Sequence, residues 1–144
     1  MGAATVMLVN SENPPEQVKI IIEDCGFTNA HEEISNTLKD IIHFNFTPLV
    51  SMASLVCKMK AGYFFNDADC IGKLPLAKNP ILFIHGGADT FVPTEMGIRL
   101  HKACTVPKDL FIVDGAVHAY SYYDAPKEYQ QKVKDFIVKH IGSL

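Results

Sequence analysis

The sequence predicts an α/β fold in which three parallel strands are flanked by helices. The first observation is a set of short apolar runs with many β-branched residues, at 18–23, 81–84 and 110–113, each typical of a buried strand. The second observation is the segments of helical periodicity that separate these runs, because strands alternating with helices favour a parallel sheet. The chain has 144 residues, which suits one domain with its own core.

The predicted helices have recognisable start and stop signals. The second helix, at 29–42, carries the acids Glu32 and Glu33 in its first turn. The third begins at Thr47-Pro48 and ends at Gly62, and its surface is apolar over most of the circumference. Such a helix is expected to be deeply buried or to form one wall of an apolar pocket. The other predicted helices are 2–9, 94–104 and 126–141.

The first helix is unusual because Met1-Gly2-Ala3-Ala4 is small and apolar at once, without a capping residue before it. We therefore expect the chain to begin as if cut from a longer one. About 55 residues then separate the first strand from the second, more than a simple crossover needs. Residues 28–79 are accordingly predicted to be a helical insertion, either a lid over the sheet edge or additional scaffold.

Composition and charge exclude several classes of function. The net charge of −3 and the pI near 6.0 give no reason to expect nucleic acid as a partner. The four cysteines form no CxxC pair, and no His, Cys or acid spacing suggests a metal site. We expect no cofactor and no metal. No uninterrupted apolar segment reaches ~18 residues, and a cytoplasmic or a cell-surface location is open.

Two side chains point to chemistry at the sheet edge. Asp89 follows the strand at 81–84, and His118 follows the strand at 110–113. Adjacent parallel strands place the loops at their carboxyl ends side by side, where open α/β sheets hold their active sites. A carboxylate oriented toward an imidazole is one half of a nucleophilic triad. The alternatives are that Asp89 only closes a turn and that His118 is incidental.

The motifs around these residues resemble those of bacterial serine hydrolases of the α/β-hydrolase superfamily. The resemblance rests on Met-Gly-Ala-Ala-Thr-Val-Met at 1–7, Asp-Cys-Gly-Phe at 24–27 and His-Gly-Gly-Ala-Asp-Thr-Phe-Val-Pro at 85–93. The histidine loop of that family usually reads Gly-Ala-Gly-His-Ala, and Val117 replaces its second glycine here. The resemblance covers essentially all 144 residues and implies the C-terminal part of an α/β-hydrolase fold, a partial domain at 1–144.

The resemblance also implies roles for individual residues. Asp89 corresponds to the triad acid and His118 to the general base. Met1 corresponds to the residue after the nucleophile, whose backbone N–H is one oxyanion-hole donor. The serine would immediately precede Met1, so the fragment alone is expected to be inactive. Asp24 and Tyr120 are candidate substrate-binding residues, and His85 is expected to be structural.

Three functions therefore compete. The first is a truncated serine hydrolase acting on an acyl ester or thioester, with a small-molecule acyl substrate. The second is a non-catalytic α/β module that self-associates, as a homo-oligomer, through an exposed strand at 18–23. The third is a cysteine hydrolase that uses Cys25, although Cys25 lies in Asp-Cys-Gly-Phe and not on a sharp Gly-x-Cys-x-Gly turn.

Overall fold

The computed structural model describes residues 1–44 and 47–142, and within these ranges the chain forms one parallel sheet of three strands. The strands are β1 (Ile21–Asp24), β2 (Ile81–Gly86) and β3 (Lys108–Val113). They lie in the order β1-β2-β3, with Ile81 of β2 opposite Ile21 of β1 and Lys108 of β3. The predicted class is thus confirmed, and the carboxyl ends of all three strands meet at one edge.

Seven α-helices surround the sheet in the described ranges, and each long one matches a predicted segment. They are α1 (Gly2–Ser11), α2 (Ala30–Ile42), α3 (Thr47–Ala61), α4 (Cys70–Lys73), α5 (Thr94–Ala103), α6 (Ser121–Asp124) and α7 (Pro126–Ile141). Asn29 caps α2 by accepting hydrogen bonds from the backbone N–H groups of His31 and Glu32. No helix in these ranges combines the length and the apolar character needed to cross a membrane.

The strand boundaries differ from the prediction at β1, which was expected at 18–23. Val18 donates its N–H to Pro15 O in a turn, and Ile21 donates to Pro80 O where pairing with β2 begins. The chain therefore joins the sheet three residues later than its apolar run. The strand is correspondingly short, and it is an edge strand.

The core has two layers, one on each face of the sheet. On one face α1, α4 and α5 cover the sheet, with Met7, Leu74, Phe83 and Leu100 as fully buried members. On the other face Phe136 of α7 packs against Leu82 and Ile84 of β2. All six residues of β2 are buried, as a central strand covered on both faces requires.

The expectation for α3 was wrong. Its buried residues are Val50 and Ser54, and Ser54 Oγ accepts the N–H of Phe65 at 2.9 Å. Ser54 is thus held against the segment that follows the helix, and most of the apolar side chains of α3 face outward without cover from the described residues. The exposed ones are Leu49, Met52, Leu55, Val56 and Met59.

The predicted insertion at 28–79 contains two different parts, apart from its residues 45 and 46, which lie outside the described ranges. In the first part α2 packs on α3, whereas in the second α4 contacts α1 and α5 in the core, where Cys70 and Leu74 are fully buried. The second part is scaffold by its packing. A lid function for the first part stays a prediction.

Candidate active site

Asp89 is held in a rigid turn at the carboxyl end of β2. Its residue is 4% exposed, and its Oδ1 accepts hydrogen bonds from the backbone N–H groups of Phe91 (3.0 Å) and Val92 (2.9 Å). A buried carboxylate is stable only when such donors surround it. Asp89 does close the turn, as the simpler interpretation proposed, but only one of its two oxygens is used for that purpose.

The second oxygen of Asp89 contacts His118. His118 Nδ1 donates to Asp89 Oδ2 at 2.8 Å, across the loops that follow β2 and β3. This bond fixes the ring proton of the neutral imidazole on Nδ1 and leaves Nε2 with a free lone pair to act as a base. The His118 side chain is 35% exposed, and the Phe91 ring packs against it with centroids 4.9 Å apart.

A close backbone approach positions the histidine loop. A side chain at Gly86 would meet the carbonyl oxygens of Ala116 and Val117. Gly87 N–H donates to Val113 O and Ala88 N–H donates to Ala116 O, at 2.7 and 2.9 Å. The absence of a side chain at Gly86 therefore allows the two loops to hydrogen-bond directly.

His85 lies under the pair in a structural position. The residue is fully buried, and its Nε2 donates to Val92 O at 2.9 Å, 3.4 Å from Asp89 Oδ2. This placement fits the sequence-based expectation that it is structural. It supports the turn that presents Asp89.

Cys25 adopts a left-handed backbone conformation just after β1, with φ of +58°. Its Sγ donates to Asp24 Oδ1 and accepts the N–H of Ala119, which has φ of +61°. Two non-glycine residues with a left-handed backbone conformation at one edge of the sheet indicate a constrained site. Burial raises the pKa of the Cys25 thiol to about 12, which is opposite to what a cysteine nucleophile requires.

Cys25, His85 and Asp89 bring possible ligand atoms within 4.8 Å of one another. Each of these atoms already has a role: the thiol donates to Asp24, and His85 Nε2 donates to Val92 O. The carboxylate of Asp89 binds two backbone amides and His118. A metal ion would have to displace these bonds, so the geometry favours a hydrogen-bonded cluster.

Beside His118 lies an apolar cavity of about 410 Å³, here called the histidine cleft. Its lining is Met1, Cys25, Phe27, Glu33, Ile34, Thr37, Leu38, Ile41, Phe91, Val92 and His118. A second cavity of about 430 Å³, the aromatic cleft, adjoins it. Its lining is Met1, Leu8, Phe27, Ala30, Glu33, Ile34, Tyr63, Phe64, Phe65, Asp67 and Ala68.

Two of the five predicted site residues, His118 and Met1, line this cleft, and Met1, at the start of α1, also lines the aromatic cleft. A third, Asp89, is buried and hydrogen-bonded to His118. Asp24 instead accepts the Tyr129 hydroxyl at 3.1 Å, and the Tyr120 ring packs on another ring. Neither of these two lines the histidine cleft, and their binding roles stay predictions.

Sequence reasoning missed the α2 wall of the cleft. Glu33, Ile34, Thr37, Leu38 and Ile41 all lie on α2 at helical spacing. The signal was present, because this stripe repeats every three to four residues. Sequence reasoning also gave no role to Phe91, although it lies two residues after Asp89 in the motif at 85–93.

Comparison with known proteins identifies the fold. No protein-family model matches the chain. The chain is 27% identical over 137 residues to the uncharacterized protein YqkD of Bacillus subtilis (strain 168), a match that covers 95% of this chain and 45% of that protein. It therefore spans less than half the length of this curated relative.

Solved structures similar to this chain are esterases and hydrolases. The esterase domain of a Rhodothermus marinus protein aligns over 98% of this chain and 57% of its own, at 17% identity and a TM-score of 0.68. The Pyrococcus furiosus esterase Pf2001 aligns over 97% and 51%, at 17% identity and a TM-score of 0.69. The metagenomic α/β hydrolase MGS-MChE2 from lagoon sediments aligns over 96% and 57%, at 19% identity and a TM-score of 0.61. The chain therefore has the α/β-hydrolase fold.

Proposed function

We propose that this chain supplies the acid and the base of a serine hydrolase that cleaves acyl esters or thioesters. The observation that carries the proposal is the 2.8 Å bond from His118 Nδ1 to the buried Asp89 Oδ2, beside an apolar cleft. In this mechanism His118 Nε2 takes the serine proton and then returns it to the leaving group. Asp89 holds the ring and stabilises the imidazolium that forms.

The proposal places the serine outside the 144 residues, immediately before Met1. Within the described residues, no serine lines the histidine cleft or hydrogen-bonds to His118. Met1 lies in the cleft at the first turn of α1, where backbone N–H groups have no partner within the helix. A serine preceding Met1 would begin next to His118, and the N–H of Met1 would be available to an oxyanion.

A fluorophosphonate probe, which labels activated serines, tests this function. The test uses the natural protein that contains this chain together with a serine before Met1, here called the serine-containing protein. We expect the serine to be labelled and p-nitrophenyl esters to be hydrolysed. His118→Ala should abolish both, whereas His43→Ala, at an exposed histidine, should retain them.

Two outcomes would overturn the proposal. One is labelling that survives His118→Ala in a folded protein, as judged by circular dichroism. The other is the 144-residue chain hydrolysing esters at the same rate as the serine-containing protein, since the base would then need no external serine.

The non-catalytic alternative has one supporting observation. β1 pairs with β2 on one side, and its other side has no strand partner among the described residues. An uncovered edge strand is a template for pairing with a second copy. We propose as the alternative that the 144-residue chain self-associates through residues 18–23. A monomer by sedimentation equilibrium at high concentration, with rapid amide exchange in β1, would rule it out.

A further inference from the structure

Glu33 is a carboxyl group inside the histidine cleft that the catalytic scheme does not use. The residue is 7% exposed and lines both the histidine cleft and the aromatic cleft. Its Oε1 accepts the hydroxyl of Thr37 at 3.2 Å, and its Oε2 has no hydrogen-bond partner among the residues described. Buried polar groups without a partner are rare, and each calls for an explanation.

The neighbouring acid, Glu32, does not share this feature. Glu32 occupies the same first turn of α2, and both of its oxygens are paired, with Arg99 Nη1 at 2.6 Å and the Thr28 hydroxyl. A role at the helix N-terminus is open equally to both acids. That role therefore does not explain why one is paired at the surface and the other is buried in the lining of an apolar cavity.

The surroundings of Glu33 make its carboxyl group distinctive. The other titratable side chains that line the histidine cleft are the thiol of Cys25 and the imidazole of His118. Burial raises the pKa of Glu33, and the nearby Asp89 charge adds to this, while Thr37 and His118 act in the opposite direction. Glu33 thus brings a carboxyl oxygen without a hydrogen-bond partner among the described residues to the lining of the cleft that His118 also lines.

We propose that Glu33 binds a hydrogen-bond-donating nitrogen, an amide N–H or an ammonium group, on the acyl part of the substrate. The inference rests on the proposed hydrolase function. The acyl part is the portion that stays bound through the covalent intermediate, so it suits the enclosed cleft. The carboxyl group reaches the donor by rotation about its terminal torsion, which has a broad energy minimum.

Matched esters test this recognition in the serine-containing protein. The amide probe is the p-nitrophenyl ester of N-acetylalanine, compared with p-nitrophenyl 2-methyl-4-oxopentanoate, in which CH₂ replaces N–H. The ammonium probe is alanine p-nitrophenyl ester, compared with p-nitrophenyl isobutyrate. For each pair the readout is the ratio of kcat/KM with and without the donor.

We expect Glu33→Leu to reduce at least one of these ratios by about tenfold, the effect of losing one buried hydrogen bond. Glu32→Gln is the matched control, because it alters a neighbouring carboxylate outside the cleft, and it should leave both ratios unchanged. Glu33→Gln identifies the source: it keeps a carbonyl acceptor for an amide but removes the charge that attracts an ammonium group. It also provides a variant of similar size if Glu33→Leu fails to fold.

The outcomes separate this inference from the proposed function. If none of the four esters is hydrolysed by the wild-type protein, the hydrolase function itself fails. If the esters are hydrolysed and neither ratio changes in folded Glu33→Leu or Glu33→Gln, the recognition role is wrong and the hydrolase function stands. An equal change in Glu32→Gln would also overturn the recognition role.

Discussion

Replacement of Asp89 by asparagine changes one atom of the dyad and should reverse the tautomer of His118. Oδ1 of Asp89 accepts two backbone N–H groups, and Oδ2 accepts His118 Nδ1. An asparagine has a single oxygen, so only one of these positions can keep its acceptor. The two backbone donors of Phe91 and Val92 outnumber the single donor of His118, and they should retain the oxygen.

The magnitude follows from this competition. Turning the amide the other way would lose the two backbone hydrogen bonds, each contributing about 1 kcal/mol, and would place the amide NH₂ against the same two N–H donors. With the oxygen on the backbone, the NH₂ faces His118 Nδ1, which must then accept and carry its proton on Nε2. A base with Nε2 already protonated cannot take the serine proton. In the serine-protease template this change lowers kcat by about 10⁴, equivalent to about 5.5 kcal/mol.

The ¹⁵N chemical shifts of the His118 ring measure the tautomer directly, in the 144-residue chain as well as in the serine-containing protein. We expect Nδ1–H in the wild type and Nε2–H in Asp89→Asn, with a loss of ester hydrolysis of about 10⁴-fold. Asp114→Asn is the control, because it removes one carboxylate from an exposed residue after β3. An Nδ1–H ring in folded Asp89→Asn would refute the reasoning.

Three further predictions concern packing and charge. Gly86→Ala should lower the free energy of unfolding in urea by about 2–3 kcal/mol, a larger loss than that caused by Gly87→Ala. An added Cβ at Gly86 would lie 2.8 Å from the Val117 oxygen, whereas at Gly87 the nearest atom would be 3.0 Å away. Equal losses would contradict this packing. Burial raises the pKa of Glu23 from 4.5 to about 8, so the unfolded chain loses this proton at lower pH than the folded chain does. The free energy of unfolding should therefore fall from pH 5 to pH 8, by on the order of 4 kcal/mol relative to Glu23→Gln. Parallel pH profiles of the two proteins would show that Glu23 does not titrate in this way. Met59→Ser should change the free energy of unfolding, obtained from thermal unfolding, by no more than about 0.5 kcal/mol, because Met59 is 71% exposed. A large loss of stability would mean that another surface covers Met59.

The position of the dyad could be predicted because it depends on one rule of parallel sheets. Asp89 and His118 each follow a strand, and neighbouring parallel strands end at the same edge whatever their register in detail. The rest of the site depends on partners distant in sequence. Glu32 and Glu33 look alike in the chain, and the ion pair of Glu32 with Arg99, 67 residues away, cannot be read from their local sequence.

The same reason applies to the surroundings of Asp24 and to the orientation of α3. Asp24 is at a strand end like Asp89, but Tyr129, 105 residues later, donates to its Oδ2. The orientation of α3 is weakly encoded because apolar residues surround most of its circumference. The inward side is the one that carries Val50 and Ser54, where Ser54 accepts the N–H of Phe65.

The site thus divides between elements of different rigidity, and the division has a functional consequence. The dyad lies on loops fixed by the buried strand β2 and by backbone bonds between residues such as Ala88 and Ala116. The cleft wall lies on α2, which packs on α3, a helix whose outer face is exposed. Substitutions on α2, at Glu33 or Ile34, should therefore change which acyl group is accepted while the geometry between His118 and Asp89 stays constant. If the proposed function is right, substrate preference can change while the hydrogen bond of the dyad is kept, since no hydrogen bond among the described residues joins α2 to Asp89 or His118.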